Sequence, residues 1–178
     1  MLVISRRSQM RRSLKALLPG LLLGVWCIAA DAATWYYFNG SATQSAVYFF
    51  DKDTVTRQGD GVTLWVKYVR DMAGPSDREG SYSTTYRVTY SCSRRTSRIT
   101  TVSAYDKLGV FLRTTGPFVE DDVVPESIGE AVLTVACSKN FPNAPSDSTY
   151  QAIAVDVFQY AKNYFDYKRA AAADPAPK

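Results

Sequence analysis

From residue 35 to residue 115, apolar and polar side chains alternate with a period of two, the pattern of strands half-buried in a sheet. Trp35-Tyr36-Tyr37-Phe38 predicts a first strand, ended by Asn39-Gly40. Ala46-Val47-Tyr48-Phe49-Phe50 predicts a second, closing at Asp51-Lys52-Asp53, and a short stretch, Thr54 to Arg57, leads into the turn Gln58-Gly59-Asp60-Gly61. In the run from Val62 to Arg70, Val62, Leu64, Val66 and Tyr68 share one face. Met72 to Ser83 is rich in Gly, Pro, Ser and Asp and reads as a mobile loop. After it, Tyr86, Val88, Tyr90 and Cys92 share one face, and Arg87, Thr89, Ser91 and Ser93 the other. Arg94 to Ser97 reads as a hairpin turn, Ile99 to Tyr105 as the returning strand, and Asp106-Lys107-Leu108-Gly109 as a turn before Val110-Phe111-Leu112. The simplest topology is an antiparallel meander of about six strands.

The period changes after Pro117. Glu120-Asp121-Asp122 reads as an acidic loop, and Pro125 suits the first turn of a helix carrying Ile128, Ala131, Val132, Val135 and Ala136 on one face, with Cys137 at its end. Asn140 to Pro145 reads as a loop. Ser148-Thr149-Tyr150-Gln151 has the form of a capping box ahead of a second helix, with Ile153, Val157, Tyr160, Ala161 and Tyr164 in its stripe, reaching about Lys168. Its polar face mixes Asp156, Lys162 and Asp166, which suits core packing rather than a membrane surface. The fold class is therefore α+β, with both helices packed on the sheet.

The first 32 residues change the charge picture. Arg6, Arg7, Arg11, Arg12 and Lys15 precede an apolar run from Ala16 to Ala30, and Ala30-Asp31-Ala32 resembles a signal-peptidase site. Fifteen residues is short for a membrane span of about 20. The expectation is a cleaved signal peptide, with no stable membrane span once it is gone. The arginine pairs match the twin-arginine signal only in part, and Gly24-Val25-Trp26 before Cys27 is no lipobox. Removing five of 21 basic groups and one of 17 acids leaves 16 of each, so the apparent basicity gives no argument for a nucleic-acid partner. Removing 32 of the 178 residues leaves 146, enough for one domain with its own core. The expected organisation is signal peptide 1–32, a disulfide-bridged domain 33–140, a C-terminal amphipathic helix within 141–169 packing on it, and a disordered tail 170–178.

Cys27 leaves with the signal peptide, so Cys92 and Cys137 remain and are expected to form a disulfide, as an even pair in an exported chain does. Closing the loop between them is worth about 4 kcal/mol in the chain-entropy picture. There is no histidine anywhere, so a zinc site lacks two ligands and a catalytic thiol lacks its usual base.

In order along the chain, the early Trp35 strand, "YFFDKDTV" before a Gly-Asp turn, "VTLWVKY", "YRVTYSCSRR", "AYDKLGVFLRT" and "VVPESIGEAVLTVAC" resemble the surface-adhesin protein E family of bacterial exported proteins, over Trp35 to Cys137. The resemblance implies a small antiparallel sheet with helical packing and a cysteine bridge. It also implies an exported role, with some relatives binding host matrix or serum proteins.

Two features are candidates for binding. Arg94, Arg95 and Arg98 could dock an anionic glycan, a lipopolysaccharide phosphate or an acidic protein face, because arginine's planar fork suits such groups; otherwise they form a charged, solvated turn. Adjacent aromatics such as Tyr36-Tyr37 and Phe49-Phe50 point to opposite sheet faces, so Tyr36 and Phe49 are candidates for a protein interface, including a homodimer; the alternative is a second face covered by loops. Glu120-Asp121-Asp122 lacks the alternating oxygen ligands of a calcium loop. No metal or cofactor is expected. With no histidine, phosphate loop or nucleophile elbow, the expectation is a non-catalytic binding module at the cell envelope or surface rather than an enzyme. The alternative is a periplasmic accessory or inhibitor that binds another envelope protein.

Overall fold

The alternating segments pair into one antiparallel sheet. Its strands are β1 (Trp35–Ser41), β2 (Ala46–Gln58), β3 (Gly61–Arg70), β4 (Ser83–Ser91), β5 (Thr96–Tyr105), β6 (Phe111–Thr115), β7 (Asp121–Asp122) and β8 (Gln151–Ala152), with helices α1 (Ile128–Ala136) and α2 (Val157–Ala173). The computed structural model describes residues 33–41, 45–143 and 150–173. The expected signal peptide and the end of the expected tail lie outside them. Strand order is β6-β5-β4-β3-β2-β1-β8, with β7 beside β5. The α+β class and the meander follow the sequence pattern, but there are eight strands rather than six. The two additional strands are two-residue pairings, too short to carry a period.

Local chemistry moves several boundaries. The expected break at Asp51-Lys52-Asp53 is an irregularity inside one 13-residue strand. There the Asp51 carboxylate accepts the Asp53 N–H at 3.1 Å and Thr54 Oγ1 donates to the Asp51 carbonyl at 3.1 Å, so the ladder resumes at Thr56. Asn39-Gly40 lies within β1 instead of ending it. A Cβ on Gly40 would stand 2.4 Å from the Tyr164 hydroxyl, so glycine here admits α2 rather than a turn. The loop expected to be mobile is stitched by Asp77, whose carboxylate accepts the N–H groups of Glu79 and Ser81 at 2.9 and 2.8 Å. Helix α1 is capped by Ser127, whose hydroxyl accepts the Glu130 N–H at 3.2 Å, so Pro125 stands outside it. Gln151 belongs to β8, and Ser148 and Thr149 lie outside the described residues. Asp156 opens α2 by accepting the Phe158 N–H at 2.8 Å. The helix reaches Ala173, taking in four residues of the expected tail.

Each sheet face carries one helix. On one face Phe50, Val62, Leu64, Val66, Val88 and Tyr90 pack against Val132, Leu133 and Ala136 of α1. On the other, Val47, Phe49 and Val69 pack against Val157, Ala161 and Phe165 of α2. This is why Ala46 to Asp51 is buried at every position, a continuous run where a half-covered sheet would alternate.

Two links fasten α1. Cys92, one residue beyond β4, forms the disulfide with Cys137, the C-cap of α1, across a Cα–Cα distance of 5.6 Å. Arg57 Nη2 donates to the carbonyls of Ala136 and Ser138, each at 2.8 Å, and of Phe141 at 3.1 Å, so its charge lies against the helix C-terminus. The two links join the neighbouring turn ends of the β2–β3 and β4–β5 hairpins to the same helix end.

Reduction of the disulfide should lower the thermal midpoint, with a loss of about 4 kcal/mol in the chain-entropy picture. An unchanged midpoint would mean that packing alone holds α1. Arg57→Ala should cost about 2 kcal/mol by denaturant titration, since it strips a cation from three carbonyls. Burial, reinforced by Tyr68, pushes the Tyr48 phenol from 10.0 up to about 12. Its folded value is the higher one, so this contribution is complete below pH 10 and is lost as pH rises toward 12. Tyr48→Phe should remove about 2 kcal/mol of the alkaline loss of stability, measured by unfolding at pH 9 and pH 12.

Candidate functional site

The β4–β5 hairpin carries the arginines. Asp60, in the neighbouring β2–β3 turn, anchors its bend. Its carboxylate accepts from the Ser91 hydroxyl at 2.7 Å, the Ser93 hydroxyl at 2.8 Å and the Ser93 N–H at 3.0 Å, and these bonds hold its pKa below the usual value. Its carbonyl accepts the Cys92 N–H at 3.1 Å. Arg95 then takes a left-handed backbone, φ 54°, which turns the chain into β5.

The three arginines have different partners. Arg94 pairs with Glu120 at 2.8 Å and donates from Nε to the Ser91 hydroxyl at 3.1 Å. Arg95 pairs with Glu130 of α1, and its carbonyl accepts the Val123 N–H at 2.9 Å. The expected acidic loop is β7, whose Asp121 and Asp122 pair with Ser97 and Thr96. The acids following Pro117 therefore lie alongside the basic turn. Arg98 stands apart: it is exposed, lies opposite Thr89 in the ladder, and has no ion pair among the described residues. The segment is thus neither a free basic cluster nor wholly a solvated turn.

The aromatic candidates are placed differently from expectation. Phe49 is fully buried at 0 % exposure under α2, with Tyr160 edge-on at 5.6 Å, so it has no solvent-facing surface. The reason is the helix on its face, which strand alternation does not reveal. Tyr36 is half-buried on the α1 face, stacked on Phe50 at 5.4 Å with the Lys52 ammonium 5.7 Å over its ring. Four exposed apolar side chains gather at the β6 edge, Leu108, Val110, Phe111 and Leu112, at 86 %, 57 %, 55 % and 41 % exposure, with others dispersed at Phe118, Val119, Val124, Val155 and Tyr167. β6 ends the sheet, so one side of its backbone is unpaired by any described strand. The alternation in "VFL" predicts a strand there but not that it is the outermost one.

A second grouping lies on the α2 face. Lys67 is enclosed by the rings of Trp35, Phe158 and Tyr105 at 5.2, 5.3 and 6.0 Å. Burial lowers its pKa, partly opposed by Asp156. Beyond it, Trp65 stands opposite Arg87 in the ladder, and Thr63 opposite Thr89, with hydroxyls 2.8 Å apart. None of these residues was a binding candidate from sequence. Their signal was nevertheless present, because Thr63, Trp65 and Lys67 occupy the face opposite Val62, Leu64 and Val66. No group of three potential metal ligands gathers among the described residues. No described helix is long and apolar enough to cross a membrane.

The family model for surface-adhesin protein E matches residues 35–138, the stretch from the first strand through the disulfide. No curated protein matches the chain. Among solved structures, the crystal structure of protein E from non-typeable Haemophilus influenzae matches at a TM-score of 0.40 and 10 % identity, over 74 % of this chain and 88 % of that one. Since the family match spans more than half of the sequence and includes the bridged hairpin and helix just described, the chain belongs to the surface-adhesin protein E family.

Proposed function

We propose that this chain is an exported, non-catalytic binding module at the bacterial cell envelope or surface, acting through protein–protein or protein–glycan contacts. The observation that carries the reading is the open β6 edge with Leu108, Val110 and Phe111 exposed on a chain of this family. A free backbone edge flanked by apolar side chains is suited to strand addition by a partner protein or a second copy. Host molecules are the partners that the adhesin name suggests. Arg98 supports an anionic contact at the hairpin, while Arg94 and Arg95 would have to leave Glu120 and Glu130 to join it. Tyr36 contributes only at the rim of such an interface. Signal-peptide cleavage near Ala32 and the 33–140 domain boundary belong to the same proposal.

The same edge equally suits a periplasmic accessory or inhibitor protein, and location separates the two. Protease added to intact cells should degrade the protein if it is displayed at the surface; full protection, with degradation only after lysis, would favour the periplasmic reading. Replacing Arg94, Arg95 and Arg98 together by Ser should weaken retention on heparin or lipopolysaccharide by about tenfold. Unchanged retention would remove the hairpin from the binding surface.

A further inference from the structure

The α2 helix covers only part of its sheet face. Its core ends at Val47, Phe49 and Val69. Toward β4 and β5 the face continues as two adjacent rows: Trp65, Arg87 and Thr101, and Thr63, Thr89 and Arg98. Trp65 is half-buried and packs in neither core, and no other ring stands against it among the described residues. Arg87 and Arg98 are exposed, and neither has an ion pair or a side-chain hydrogen bond among the described residues. Three of the neighbouring charged groups are already engaged. Lys67 is enclosed by three rings, Asp51 is buried and accepts the Asp53 N–H, and Arg94 is paired with Glu120. A depression of about 490 Å³ borders Thr89 and Arg98, and the two acids that also line it are engaged, Asp60 by the Ser91 and Ser93 hydroxyls and Glu120 by Arg94.

We infer that this open face, centred on Trp65, Arg87 and Arg98, binds an acidic saccharide. A pyranose ring presents C–H groups that fit the electron-rich face of an indole. A carboxylate or sulfate on the sugar meets a guanidinium fork in paired hydrogen bonds. Threonine hydroxyls, able to donate and accept, match sugar hydroxyls. Charge complementarity selects the acidic class, because two unpaired cations lie here on a chain whose residues after Ala32 balance in charge. A simple phosphate would use the arginines and leave the indole idle. An extended peptide is better served by the β6 edge, where backbone groups are free. The inference rests on the binding-module reading and adds to it a site and a ligand chemistry.

The test uses the full chain, titrated with hyaluronan hexasaccharide (carboxylate only), chondroitin sulfate hexasaccharide (carboxylate and sulfate) and maltohexaose (neutral), followed by tryptophan fluorescence and calorimetry. At least one acidic sugar should bind about tenfold more tightly than maltohexaose, and their ranking distinguishes carboxylate from sulfate recognition. Arg87→Gln and Arg98→Gln should each weaken that binding about tenfold, and Trp65→Ala should do the same, while Lys139→Gln, at an exposed lysine just beyond α1, stays within about twofold of the parent. If Trp65→Ala fails to fold, Trp65→Phe and the exposed Arg87→Gln decide. Equal binding of maltohexaose, or unchanged binding in Arg87→Gln and Arg98→Gln, would overturn the inference. So would a self-associated chain that dissociates on Arg87→Gln, which would assign the face to a second copy. Loss of the sugar site with surface display intact would leave the binding-module reading standing.

Discussion

The fastening of α1 to the sheet is the constraint on which the rest of this protein depends. Nine residues are too few for a helix to persist alone in water. This one persists because its end is held covalently through Cys92–Cys137 and electrostatically by Arg57, whose guanidinium reaches three carbonyls there. Once held, α1 buries Leu64, Val88 and Tyr90 under Val132, Leu133 and Ala136. Without that cover, one whole sheet face would be exposed to water. The other face obtains its cover from α2, and the sheet becomes the middle layer of three rather than one wall of two.

The same attachment sets the electrostatics of the hairpin. Bringing α1 to the end of β4 brings Glu130 to Arg95, and the strand before the helix brings Glu120 to Arg94. Exposed ion pairs of this kind contribute little to stability. Their effect is to remove two of the three hairpin cations from immediate availability and to leave Arg98 unpaired. Beside Arg98 on the same face lies Arg87, from a strand position that looks unremarkable in sequence. The available positive charge is therefore displaced from the turn onto the sheet. Meanwhile a cluster of exposed apolar side chains lies elsewhere, at the β6 edge. The molecule offers two chemically distinct surfaces, an apolar strand edge and a cationic, hydroxyl-lined face with one indole.

The places where sequence reasoning fell short share a cause. Phe49 was a reasonable candidate for an exposed aromatic, because alternation states only that it and Phe50 point oppositely. Nothing in a local pattern tells which of two faces a distant helix will cover. Arg94, Arg95 and Arg98 look equivalent within five residues, and only partners 26 or more residues away in sequence, Glu120 and Glu130, make them different. The Ser127–Glu130 cap is legible as a Ser-x-x-Glu motif, and it sets the helix N-cap two residues beyond Pro125. β7 and β8 had no readable signal, since two-residue strands exist only because a neighbouring edge was available to pair with.

By itself the sequence determined the strand alternation, the sheet topology to be expected from short turns, the cysteine pair and the family pattern. Each of these is a local property: a period of two, a turn residue, a count of thiols, an ordered set of motifs. The tertiary structure alone decided which aromatics are buried, which arginines are paired, which strand lies at the edge and which indole is left uncovered. Those outcomes depend on contacts between residues far apart in the chain. Burial and charge pairing belong to surfaces, and a surface exists only after the chain has brought its distant parts together.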